Sequence, residues 1–146
     1  MTGGISDGTK PIKSSHVFDL EENTFHDIAD LNIKRYLHSS TTMGKHVYVF
    51  CGKESSSTHI KTIESYDISQ PSSSANWTQI ILSKEMLTPR ELPILGVLSD
   101  SEILIAGGRG VAHNLPSLTE KVTTLCDVLV FNTREQTIRS VSNAPA

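Results

Sequence analysis

Apolar positions fall in short runs of four to six residues, rich in β-branched and aromatic types, with Ser, Thr, Gly, Asn and Pro between them. Val47-Tyr48-Val49-Phe50, Ile103-Leu104-Ile105-Ala106 and Val128-Leu129-Val130-Phe131 are examples. Helical spacing is nearly absent. Runs of this length bounded by turn formers predict strands buried on both faces. Met43-Gly44-Lys45 and Ser99-Asp100-Ser101 each precede a run and predict tight turns. Residues 54–58 and 69–76 read as loops by composition. The pattern predicts an all-β chain of roughly ten short strands.

A repeat runs through that pattern. Phe18-Asp19, Tyr66-Asp67 and Phe131-Asn132 each place an aromatic before Asp or Asn, and a large apolar residue follows: Phe25, Trp77 and Ile138. The middle spacing fits the other two once a four-residue insertion in the Ser-rich loop is allowed. Upstream lies a small pair, Gly3-Gly4, Cys51-Gly52 or Gly107-Gly108. An arginine precedes each of the last two pairs, Arg35 and Arg90. A glycine pair ending a strand allows a sharp exit and close backbone approach.

The ordered set Arg, apolar strand, small pair, aromatic-Asp and Trp resembles the Kelch repeat, in which each unit is one four-stranded blade of a β-propeller. The resemblance covers essentially the whole chain and implies a partial propeller of two and a half blades. Residues 1–34 are the second half of a preceding blade behind a flexible start. Residues 35–82 are one repeat, and 83–146 another with a long inter-strand loop at 109–121. Its strands fall at 16–20 and 24–28, then 38–42, 46–51, 62–68 and 77–81, then 93–98, 102–106, 126–132 and 137–141. Gly4, Gly52, Gly107 and Gly108 are the strand exits, and Asp19 and Asp67 follow the aromatics. Phe18, Tyr66, Trp77 and Phe131 are anchors between blades. Cys51 replaces the first glycine of its pair, and Phe25 and Ile138 stand where the family has Trp.

Composition narrows the function classes. Of 146 residues 37% are hydrophobic and 5% aromatic, and 13 basic against 16 acidic residues give a net charge of −3. That mixture lacks the clustered basic surface of a nucleic-acid binder, and no run approaches the ~18 apolar residues of a membrane helix. The start carries no signal-peptide pattern, and two cysteines are too few for a disulfide scaffold, so a cytoplasmic protein with reduced thiols is expected. The six histidines show no metal-motif spacing, and Cys51 and Cys126 lie outside any Cys-x-x-Cys frame. Gly107-Gly108-Arg109-Gly110 lacks the ending of a phosphate loop. No cofactor is expected.

A propeller closes with about four to eight blades. Two and a half blades therefore imply a piece of a larger propeller, self-association to complete the ring, or an open β unit. By the resemblance, partners meet the loops at 53–61 and 109–121 and those at 29–36 and 83–91. Candidate partner-binding residues are Arg35, Arg90, Arg109, His113 and Leu115. Arg35 and Arg90 have two readings: forked donors to a partner's carboxylate, or donors to backbone carbonyls inside the ring. The function implied is a non-catalytic protein-interaction module. The alternative is a small-molecule-binding or enzymatic propeller of sugar-epimerase or oxidase type, its site completed by further blades.

Overall fold

A computed structural model describes residues 1–70, 72–82, 87–111 and 122–141. Among these there is no helix, and every strand pairs antiparallel with its neighbours. The first sheet holds β1 (Thr2–Ser6), β2 (Lys10–Asp19) and β3 (Thr24–Ile28). The second is a four-stranded meander of β4 (Ser39–Met43), β5 (His46–Phe50), β6 (Ile63–Asp67) and β7 (Thr78–Ile80). A small sheet follows, built from β8 (Arg90–Glu91), which pairs with β11 (Arg109–Val111). The third large sheet runs β9 (Ile94–Val97), β10 (Glu102–Ala106), β13 (Val128–Asn132) and β14 (Thr137–Ser140). Between β10 and β13 the chain leaves through β11 and returns through β12 (Val122–Thr124). The fold is all-β and propeller-like in part: four antiparallel sheets, three larger ones and the small β8-β11-β12 sheet, with no closed ring among the described residues.

Local chemistry sets the turns. Gly44 takes φ +59° in the two-residue link between β4 and β5, a conformation a side chain resists. The residue after each repeat aromatic caps the hairpin that follows. Asp19 Oδ1 accepts from the backbone N–H groups of Glu21 and Glu22 at 2.8 and 3.0 Å. Asp67 Oδ1 accepts from Ser69 N–H at 2.9 Å, and Asn132 Oδ1 from Arg134 and Glu135 N–H at 3.0 Å each. These are Asx turns. The aromatic itself pairs across the hairpin, Phe18 with Phe25 and Phe131 with Ile138.

Alternation along the strands gives each sheet two apolar faces. Tyr66 and Trp77, 5.3 Å apart between ring centroids, join Val49, Leu31 and Ala75 under the first sheet. On the opposite face, Tyr48, Phe50 and Ile63 meet Ile103, Ile105, Leu129, Phe131 and Ile138 of the third sheet. Phe50 and Phe131 contact edge-on, 5.8 Å between centroids.

Three expectations need correction. The described residues carry fourteen strands rather than about ten. Of the additional ones, β1, β8 and β11 are short, polar or Gly-rich and carry no β-branched run to announce them, and β12, though all Val and Thr, is only three residues long. Strand β2 starts at Lys10 instead of residue 16, because Lys10–Ile12 pair with β1. Phe18 is not a buried anchor: it is 41% exposed, because among the described residues no sheet lies on its side of β2.

Candidate functional site

The small pairs form the frame around which the surface is built. Gly3 and Gly4, Cys51 and Gly52, and Gly107 and Gly108 all have positive φ: 60° and 113°, 60° and 96°, and 58° and 97°. Cys51 thus holds a left-handed conformation that costs a residue with a Cβ of order 1 kcal/mol or more. The second residue of the later pairs must also be small. A Cβ at Gly52 would lie 2.7 Å from the Tyr36 carbonyl oxygen, and one at Gly108 2.7 Å from that of Glu91. The next unit is hung from this point, since Gly4 N–H donates to Arg35 O and Gly52 N–H donates to Arg90 O, each at 2.8 Å.

Arg35 and Arg90 are fully buried. Arg35 donates to the Cys51 carbonyl at 2.8 Å, to Thr62 Oγ1 at 3.0 Å and to Glu64 Oε1 at 2.5 Å. Glu64 also accepts from Asn32 N–H and Nδ2 at 2.7 and 2.8 Å, which pins the linker between the first two sheets. Arg90 donates to the Gly107 carbonyl at 2.9 Å and, as a fork, to both oxygens of Asp127 at 2.8 and 2.7 Å. Burial draws the Arg35 guanidinium below its ordinary value while Glu64 pulls it back up. Both arginines face the chain's own carbonyls and carboxylates.

Arg109, in contrast, reaches solvent with 61% of its side chain exposed. Its guanidinium lies 3.3 Å from Glu91, whose buried carboxylate also sits 3.7 Å from Lys53 Nζ and 3.8 Å from His59 Nε2. This cationic cluster stands at the end of the molecule where the loops after β5 and β10 emerge. At the first sheet the same kind of loop, Asp7 to Thr9 between β1 and β2, borders an open groove of about 590 Å³. Lys10, Lys13, Lys34, Asp30 and Glu54 rim it, with Ile12 and Ile33 among its lining. Spacing did not foreshadow this groove, because its residues come from three separate segments. His113 and Leu115 lie outside the described residues, as does most of the loop expected at 109–121.

Other groups fall apart or inward. Cys51 is buried and Cys126 exposed, both free thiols. Burial pushes the Cys51 thiol up to about 12, against the pull of Arg90 and Arg35. His38 lies in the crevice between the first two sheets, where Cβ atoms at Gly3 and Gly52 would touch it. Burial, helped by the Arg35 charge, holds it down at about 4. Ligand atoms of Asp19, Glu22 and His26 lie within 4.8 Å of one another on the exposed β2–β3 hairpin, and Asp19 there serves the turn. No described helix is long and apolar enough to cross a membrane. No protein-family model matches the chain, and no curated protein matches it.

Proposed function

We propose that the chain is a partial Kelch-type β-propeller acting as a protein-interaction module in the cytoplasm, without catalysis of its own. The observation that carries this reading is the recurrence of one junction: a positive-φ pair, a buried arginine behind it and an Asx-capped hairpin. The arrangement resembles the unit from which that family builds its blades. Support for binding rather than chemistry comes from the fate of the buried charges, which are engaged with one another or with backbone carbonyls. The exposed cations stay in reach of a partner. Lys10, Lys13, Lys34 and Arg109, all exposed, and the half-buried Lys53 outnumber Asp7, Asp30, Glu54 and Glu91 at the loop end, and the groove offers an apolar lining between them. A basic rim around apolar lining fits an acidic segment of another protein.

Affinity enrichment from cell extract with the intact chain and with a Lys53→Glu/Arg109→Glu variant tests the reading. A defined set of co-purifying proteins, lost in the variant and weakened by raised salt, is the expected result. Enrichment indifferent to both changes would overturn the assignment of this surface.

A further inference from the structure

On the face that the second sheet turns toward the third, apolar packing stops short of the turns. Phe50, Ile63 and Ile80 stand in one row across β5, β6 and β7, buried in the layer shared with the third sheet. Two residues along each strand, on the same face, the row is Tyr48, Ser65 and Thr78, and His46 follows on β5. Ser65 is half-buried in mid-sheet, where it leaves room and a hydroxyl in place of an aliphatic side chain. The third sheet makes the same change. Phe131 and Ile138 pair in its apolar layer, and two residues beyond them stand Thr133 and Gln136, with Arg134 in the turn.

The two polar rows line a cleft of about 430 Å³. That volume falls within the roughly 300 to 1,000 Å³ of small-molecule sites. Its floor is apolar, made by the buried Met43, Tyr48 and Ile80. The walls are fixed without using up their polar groups. The Tyr48 ring meets Phe131 edge-on at 6.3 Å between centroids, and its hydroxyl lies against Thr133. Thr133 N–H donates to the Ser101 carbonyl at 2.9 Å, and Arg134 Nη2 donates to Asp100 at 2.6 Å. The other Arg134 donors and the side chains of Lys45, His46, Ser65, Thr78 and Gln136 make no hydrogen bond among the described residues. Lys45 and Arg134 come from different sheets, and Asp100 is the one carboxylate among the described residues that line the cleft. Asp67, paired with His46 across the strands, is engaged by Ser69. The cleft is thus net positive, with hydroxyl and amide groups between its two cations.

We infer that this cleft binds a small polyhydroxylated anion, its charged group between Lys45 and Arg134 and its hydroxyls on Ser65, Thr78 and Gln136. A carboxylate and a phosphate share that chemistry: the lysine meets either as a point charge, and the arginine presents its remaining donors to either. A frame held in advance spares the ligand the cost of ordering it. The site lies at the opposite end of the strands from Lys53 and Arg109, since His46 opens β5 and Lys53 follows its close. It is independent of the protein-interaction surface.

Isothermal titration calorimetry of the intact chain at low ionic strength tests this, with gluconate, glucose 6-phosphate and glucose as probes. Saturable binding of an anion is expected, with neutral glucose weaker by about tenfold or more. Binding of gluconate alone would support the proposal with a carboxylate as the charged group, glucose 6-phosphate alone with a phosphate, and both with either. Lys45→Ala and Thr78→Val change exposed positions, so each variant should keep the parent's far-ultraviolet circular dichroism. Lys45→Ala should weaken the anion about tenfold, and Thr78→Val should weaken it less. No saturable binding of either anion, glucose bound as tightly, or an affinity unmoved by either substitution overturns the proposal. So does binding that survives Lys45→Ala and is lost in Lys53→Glu/Arg109→Glu, which would place the anion at the loop end.

Discussion

The two sheet junctions solve the same problem with different chemistry. Between the first and second sheets the arginine meets Glu64, two positions into the third strand of its blade, with the side chains of both partners fully buried. Between the second and third it meets Asp127, just ahead of the corresponding strand, with the carboxylate side chain 34% exposed. The packing differs as well. A Tyr–Trp pair in a small cluster seals the first junction, whereas a broad aliphatic and Phe-rich layer seals the second. What the two share is the backbone part: the positive-φ pair, the arginine donating to the carbonyl of its first member, and the Arg carbonyl accepting from a Gly N–H where a preceding sheet exists. The repeat therefore preserves backbone geometry, and the carboxylate that neutralises the arginine is free to move.

The largest expected effect tests whether the smaller cluster depends on its anchor. Trp77→Ala should cost roughly 3 to 5 kcal/mol in denaturant titration. A loss below about 1 kcal/mol would mean that the first junction does not rest on that ring. The carboxylates provide the sharper contrast. Glu64→Ala strands a buried guanidinium and should cost about 3 to 5 kcal/mol, whereas Asp127→Ala, at a partly solvated site, should cost about 1 to 2 kcal/mol. Equal losses would erase the distinction between the junctions.

The shared backbone element is probed by valine. Gly108→Val places a Cβ against the Glu91 carbonyl in a left-handed conformation, so it should destabilise by about 2 kcal/mol more than Ala106→Val. Equal effects would remove the claim that the second glycine has a backbone role. A pH-dependent effect belongs to the first junction alone. His38 is held at about 4 against an ordinary 6.5, so the unfolded chain binds its proton first as pH falls. Stability from this group is complete above pH 6.5 and declines toward pH 4, by on the order of 2 kcal/mol. In His38→Asn that slope should vanish between pH 6.5 and 4.5. Carboxylates such as Asp19 and Asp67, held low by hydrogen bonds to Glu22 and Glu21 and to Ser69, titrate below this window.

Much of the fold was legible because its signals are local. Runs such as Val47 to Phe50 need only their composition to be strands, and the small pair needs only its φ angles. Asp19, Asp67 and Asn132 were legible as markers without their role, which depends on an N–H two or three residues ahead. Lys10 to Ile12 and Arg109 to Val111 were not legible as strands, since pairing rather than side-chain type makes them so. The arginines illustrate the limit for the site. Nothing in the spacing of Arg35 or Arg90 says whether a side chain in a connecting loop turns outward or into the sheet. That is decided by a carboxylate 29 residues away in one case and 37 in the other. The groove beside Lys34 was invisible for the same reason.

The meander order of the sheets carries a consequence for the time course of folding. Strands β4 to β7 pair in chain order, so each hairpin closes a short loop and can form early, within microseconds when isolated. The arginine clamps close much longer loops and connect sheets that must already exist. They are expected to be largely absent from the folding transition state. Glu64→Ala should then act almost wholly on the unfolding rate and leave the refolding rate nearly unchanged in a chevron analysis. The clamps would thus govern how long the assembled sheets persist, while the turns govern how quickly they appear.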